Sequence, residues 1–310
     1  ASCVCCPTAS SARARRWLGQ RGAATRGLSS VKSGPRLVAS LVSGVDGQGR
    51  GQVALVAEEP ERNRRVAVAF ACDMMGGVRE AVGRIGSKGD SELTDSLLDE
   101  LKAQPDFDVV EGQHALALGL LSGALLLCGP ETTPALRYWL ERTVGPDLRP
   151  KPFAGLPIDE STMLADASPP PFEEMPGRVV AVLDACSSWI DDSPLTFEIA
   201  EELLLRWEGS PPDPIRDAGA YRFLFEHRLR GQLELYRRML FWMGWLWRAA
   251  GASELARSAL ALADQLCDPQ HVVPAHPFTT ALTTRSLATA QDCLRQGFDP
   301  RNPVVRGRLV

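Results

Sequence analysis

Asp73 and His114 are the residues whose types could do chemistry. Asp73 closes the run "VAVAFACD" and is followed within a few residues by Gly76 and Gly77. A carboxylate just past a strand end, beside glycines that let backbone approach a ligand, is a common place for a catalytic or metal-binding acid. The same carboxylate also serves to cap a turn or the helix that follows, with no ligand at all. His114 is the best general base to pair with it, because an imidazole titrates near neutrality and a carboxylate can orient it. That pair would support a hydrolase-type reaction in a pocket between strands and helices.

Other arrangements fall short of a reaction. Glu111 and His114 form a Glu-x-x-His unit at helical spacing, but a di-iron bundle needs two such units and two further glutamates, and the chain has no second unit. "GRIGSKGD" lacks the Gly-Lys-Ser/Thr ending of a phosphate loop, and no G-x-G-x-x-G follows a strand. No nucleophile elbow occurs. Cys3, Cys5 and Cys6 cluster, yet no histidine or further cysteine precedes Cys72 to complete a zinc site. His271 and His276 are five apart, which does not place two imidazoles on one helix face, and His227 sits among charged residues as a surface group. The expectation is no metal and no cofactor.

The segment "FACDMMGGVREA" resembles, with a one-residue gap, a strand-end segment of a group of uncharacterised bacterial proteins that reads Phe-Leu-Val-Asp-x-x-Cys-Leu-Gly-Val-Lys-Asp-Ala. Phe70, Asp73, Gly77, Val78, Arg79 and Glu80 are the matching positions. The resemblance implies a bacterial origin; no activity attaches to that group.

Aromatic residues mark a second candidate. Trp242, Trp245 and Trp247 fall within six residues, beside Phe241, Met239 and Met243. An exposed cluster of this kind is a partner-binding surface; a helix apolar on all sides is a buried one. Both readings stand on sequence grounds, and the cluster is the candidate partner-binding site.

Charge is distributed unevenly. The chain of 310 residues has a formal net charge of −4, yet residues 1–45 carry seven basic side chains and no acid. Arg13, Arg15, Arg16 and Arg21 are therefore the candidate anion contact, in an arm that is expected to lack order and that shares its Arg-rich, Ser-rich composition with organelle transit peptides. The acidic remainder argues against a specific nucleic-acid groove. The longest apolar stretch, residues 115–128, is shorter than the roughly 20 residues a membrane helix needs. No membrane association is expected. Eight dispersed cysteines suit a reducing compartment, read here as cytoplasmic.

These residues need elements to position them. "QVALVAEE" and "RRVAVAF", separated by "PERN", predict an antiparallel hairpin. "GVREAVGRIG" is expected as a short helix, and "SELTDSLLDELKAQ" as a helix capped at residue 90 or 91 with Leu93, Leu97, Leu98 and Leu101 on one face. An apolar helix follows over 112–128, then a helix with Pro134 in its first turn and Gly145 after its end. Eight prolines between 146 and 177 mark a linker. Beyond it the pattern is helical throughout. Ser193 is placed as a cap before Pro194, one long helix runs through 217–251, and Pro277 opens the last helix.

The fold class is thus mainly α within α+β: a basic arm over 1–38, a hairpin-and-helix domain over 39–145, a linker over 146–177 and a helical lobe over 178–310. The functional expectation is a non-catalytic interaction or regulatory module that binds a protein partner or itself. A hydrolase built on Asp73 and His114 is the alternative.

Overall fold

The computed structural model describes residues 34–88, 92–103, 108–128, 133–145, 175–266 and 272–301. The expectations for most of the basic arm, including Arg13, Arg15, Arg16 and Arg21, for the cysteine cluster, for the cap at 90 or 91 and for His271 lie outside them. So does the proline-rich segment up to residue 174.

Alternating apolar residues make the sheet. Strands β1 (Arg36–Ser43), β2 (Arg50–Glu59), β3 (Arg64–Asp73), β4 (Gly77–Ser87) and β5 (Val109–Glu111) form one antiparallel sheet in the order β4-β3-β2-β1-β5. The hairpin expected from "PERN" is its centre. Pro60–Arg62 makes a turn of 3-10 helix, and Asn63 takes the left-handed conformation at φ 47° that lets β3 return in register from Glu59↔Arg64 to Arg50↔Asp73. β1 begins at Arg36, inside the segment expected to be arm.

The short helix expected over 77–86 is instead strand β4, which pairs with β3 from Asp73↔Gly77 to Arg64↔Ser87. Val78, Val82 and Ile85 do have helical spacing. The outer N–H and C=O groups of β3 need partners, however, and an adjoining strand supplies a full ladder of them.

Both sheet faces are covered. Leu41, Ala54, Val56 and Ala67 face α1 (Glu92–Lys102) through Leu97 and Leu101. Val42, Val53, Leu55, Val68 and Phe70 face the larger core. That core takes in α2 (His114–Leu127), α4 (Met175–Ala185), α7 (Leu233–Ala249), α8 (Ser253–Gln265) and α9 (Pro277–Arg295), with α3 (Pro134–Thr143) packed at its edge through Leu136 and Trp139. A smaller cluster joins α5 (Pro194–Arg206) and α6 (Ala218–His227) to α9 through Phe197, Leu203, Tyr221 and Leu287.

Mixed α+β is therefore the architecture, with nine α-helices among the described residues. None of these helices is long and apolar enough to cross a membrane. Local signals set several helix starts. Thr133 accepts from Leu136 N ahead of Pro134, Ser193 accepts from Thr196 N ahead of Pro194, and His276 accepts from Phe278 N ahead of Pro277. The long helix expected over 217–251 is two helices, separated by a 3-10 turn at Leu229–Gln232. Leu229 buries itself in the core there while Arg228 reaches Asp191, so the chain changes direction to satisfy both.

One apolar cluster contains residues from both sides of the proline-rich segment, from Val42 to Leu282. Two indole N–H groups tie those sides together: Trp242 donates to the Ser43 carbonyl at 2.8 Å and Trp189 to the Val45 carbonyl at 2.9 Å.

Candidate functional site

Asp73 sits at the last position of β3 and organises the turn into β4. One carboxylate oxygen accepts from Met75 N and Gly76 N at 2.8 Å each; the other accepts from Arg79, whose Nη2 lies 3.0 Å away. Partial burial pushes this carboxyl up, but the two backbone N–H groups and Arg79 outweigh it and hold it below the usual carboxylate range. Gly77 has φ +80°, and a Cβ there would lie 2.6 Å from both Ala124 O and Cys128 N. Only glycine permits that turn to press on the end of α2. Val78 N donates to Cys128 Sγ at 3.0 Å and fixes the contact.

His114 is the first residue of α2, with Nδ1 2.8 Å from Ser40 Oγ on β1. The β3–β4 turn meets the other end of that helix. Fourteen residues of helix span about 20 Å, so Asp73 and His114 occupy opposite ends of α2 and do not converge. Glu111 ends β5 and pairs with Lys102 at 2.7 Å; Gly112 at φ +73° separates it from the helix, so the Glu-x-x-His unit does not lie on one helical face. Among the described residues no cluster of three or more His, Cys, Asp or Glu side chains is placed to hold a metal ion. The thiols of Cys72 and Cys186 are pushed up by burial, which keeps them protonated and poor nucleophiles.

The tryptophans divide. Trp242 and Trp247 are each 3% exposed, and Trp247 Nε1 donates to Asp108 at 3.2 Å. They belong to the core. Trp245 is half-buried and opens onto a groove of about 290 Å³ between α2, α7 and the β3–β4 turn. Leu120, Ala124, Leu126, Leu127, Phe241 and Trp245 make its apolar wall. Leu126 and Leu127 are 42% and 37% exposed, although α2 is buried without interruption from Gly119 to Leu125.

The groove has a charged end. Glu234 pairs with Arg238 at 2.7 Å and with Arg237 at 3.6 Å; Arg238 also donates to the Met74 carbonyl at 2.9 Å, which ties α7 to the turn. The guanidinium of Arg237 lies over the Phe241 ring and that of Arg248 over Trp245. The groove lining thus carries two arginines, Arg237 and Arg238, and two carboxylates, Asp73 and Glu234. Sequence reasoning reached Asp73 and Trp245 but missed Leu126, Leu127, Glu234, Arg237 and Arg238. The Glu234–Arg238 pair had a visible signal in its i, i+4 spacing; the leucines, inside a uniformly apolar run, had none.

Known proteins supply no counterpart: no family model, no curated protein and no solved structure matches the chain.

Proposed function

We propose that the protein is a non-catalytic interaction module whose partner surface is the groove between α2 and α7. The observation that carries this reading is the exposure of Leu126, Leu127 and half-buried Trp245 along one opening between two helices that supply the core. Contiguous exposed apolar surface of this kind marks partner sites. The occupant we assign is an amphipathic helix of a partner protein, its apolar stripe in the groove and charged residues of both signs on its flank. Helix-in-groove recognition needs an apolar trough between helices, and arginines and carboxylates in equal number along the lining suit a flank of mixed charge. The hydrolase alternative loses support from the roughly 20 Å that α2 puts between Asp73 and His114. We place the module in the bacterial cytoplasm; the free thiols of Cys72, Cys128, Cys186 and Cys293 support a reducing compartment.

A displayed library of amphipathic helices, selected on the full chain and counter-selected on Leu127→Glu, tests the proposal. Enriched sequences with apolar residues at i, i+3 or i+4 and i+7 and flanks of mixed charge are expected, with affinity falling by about tenfold or more in the variant. Enrichment that is equal on both proteins, or none, would overturn it.

A further inference from the structure

Strand β4 forms one edge of the sheet, and its outer side meets no further strand among the described residues. The opposite edge is β5, only three residues long. Natural sheets blunt their edges by shortening them, by proline or lysine, by bulges, or by charge that repels another copy. β4 is eleven residues long and contains neither proline nor lysine. Its one irregularity, opposite Ala71 and Cys72, displaces Arg79 and leaves residues 80–87 in regular register. Cys128 Sγ already occupies the Val78 N–H, so the open ladder begins after it.

The side chains on this edge are arranged symmetrically. Glu80, Val82 and Arg84 alternate onto the α1 face, where Arg84 is held by Ser96 and Glu100 at 2.7–2.9 Å. Val82 is 51% exposed. When two such strands run antiparallel about a two-fold axis through Val82, Val82 meets its own copy, and Glu80 of each chain falls opposite Arg84 of the other. The other face then sets Ala81 against Gly83, on which the Trp139 ring of α3 lies. Edge charges meant to repel a second copy would share one sign; these have opposite signs, equidistant from an exposed apolar residue. We propose that β4 pairs with β4 of a second copy of this chain in that register, extending two five-stranded sheets into one continuous sheet in an isologous dimer. The proposal is independent of the α2–α7 groove, to which Val82 and Arg84 contribute nothing.

Sedimentation velocity of the full chain across a concentration series tests it. Wild type is expected to associate to a dimer. Val82→Lys and Val82→Glu each place like charges on the two-fold axis and are expected to weaken dimerisation by about tenfold, while an equimolar mixture of the two regains it as a heterodimer. Glu80→Arg, on an exposed side chain, is expected to weaken the wild-type dimer as well. A wild-type chain that stays monomeric overturns the proposal. So does a dimer indifferent to all three substitutions, or a mixture of the two Val82 variants that associates no better than its components.

Discussion

The Asp73 carboxylate accepts from two backbone N–H groups and a guanidinium, all within six residues of itself, so its bonding is that of a turn even though its neighbours are the kind that surround catalytic acids. A carboxylate so engaged orients the chain, and Asn can replace its acceptor but not its charge. Asp73→Ala is expected to lower stability by about 1–2 kcal/mol and Asp73→Asn by less, as read from urea denaturation at neutral pH. The pH dependence follows from the depressed folded-state carboxyl. Its contribution is fully present above the ordinary value of about 3.9 and disappears as pH falls through the lower folded one. The difference between wild type and Asp73→Asn should therefore be constant from neutrality to about pH 5 and close in more acidic solution. A difference that persists unchanged below about pH 3 would mean that the charge is not engaged. What the sequence made legible here was the position; whether a nearby guanidinium or a distant imidazole completed it depended on a strand, β4, that local pattern did not reveal.

Elements were legible where their signals were local. The β2–β3 hairpin needed only two apolar runs and the turn residues between them, and α3, α5 and α9 each begin where a proline follows a cap. β4 and the break between α6 and α7 were not legible, because each is decided by a distant partner: the edge of β3 in one case, and the Leu229 pocket with Asp191 in the other. The start of α9 shows a local signal with a further consequence. His276 Nδ1 accepts from Phe278 N, which requires the neutral ring and leaves Nε2–H to donate to Gln265 Oε1 at 3.0 Å. Burial holds this imidazole below its ordinary value. A histidine neutral when folded binds its proton more readily when unfolded, so folding stability is highest above about pH 6.5 and declines as pH falls through the window between the two values. His276→Asn keeps a capping acceptor without a titrating ring. It is expected to match wild type within about 0.5 kcal/mol at about pH 7.5 and to lose less stability between about pH 6.5 and 5; parallel curves for the two proteins would contradict the assignment.

At the scale of the molecule, the question is whether the sheet and the C-terminal helices are separable. Composition suggested a boundary in the proline-rich segment, because prolines without apolar periodicity are what linkers are made of. Packing places the apolar surface differently. Trp242 and Met243 of α7 lie against Gly51 and Gly44 at the β1–β2 turn, and Gly47 approaches the Ser188 carbonyl so closely that a Cβ would overlap it. A polypeptide of residues 175–310 alone would expose Met239, Trp242, Met243 and Leu246, which are all under 4% exposed in the full chain. It would also leave the indole N–H groups of Trp189 and Trp242 without the Val45 and Ser43 carbonyls to which they respectively donate. The expected result is a fragment that retains helical far-ultraviolet dichroism, lacks the near-ultraviolet tryptophan signal of fixed packing, and binds a hydrophobic dye. Adding residues 34–145 as a second polypeptide should restore the tryptophan signal, since the missing surface is supplied by that half. A fragment that folds with native near-ultraviolet dichroism would instead establish the proline-rich segment as a true domain boundary and make the shared apolar cluster an interface between two lobes.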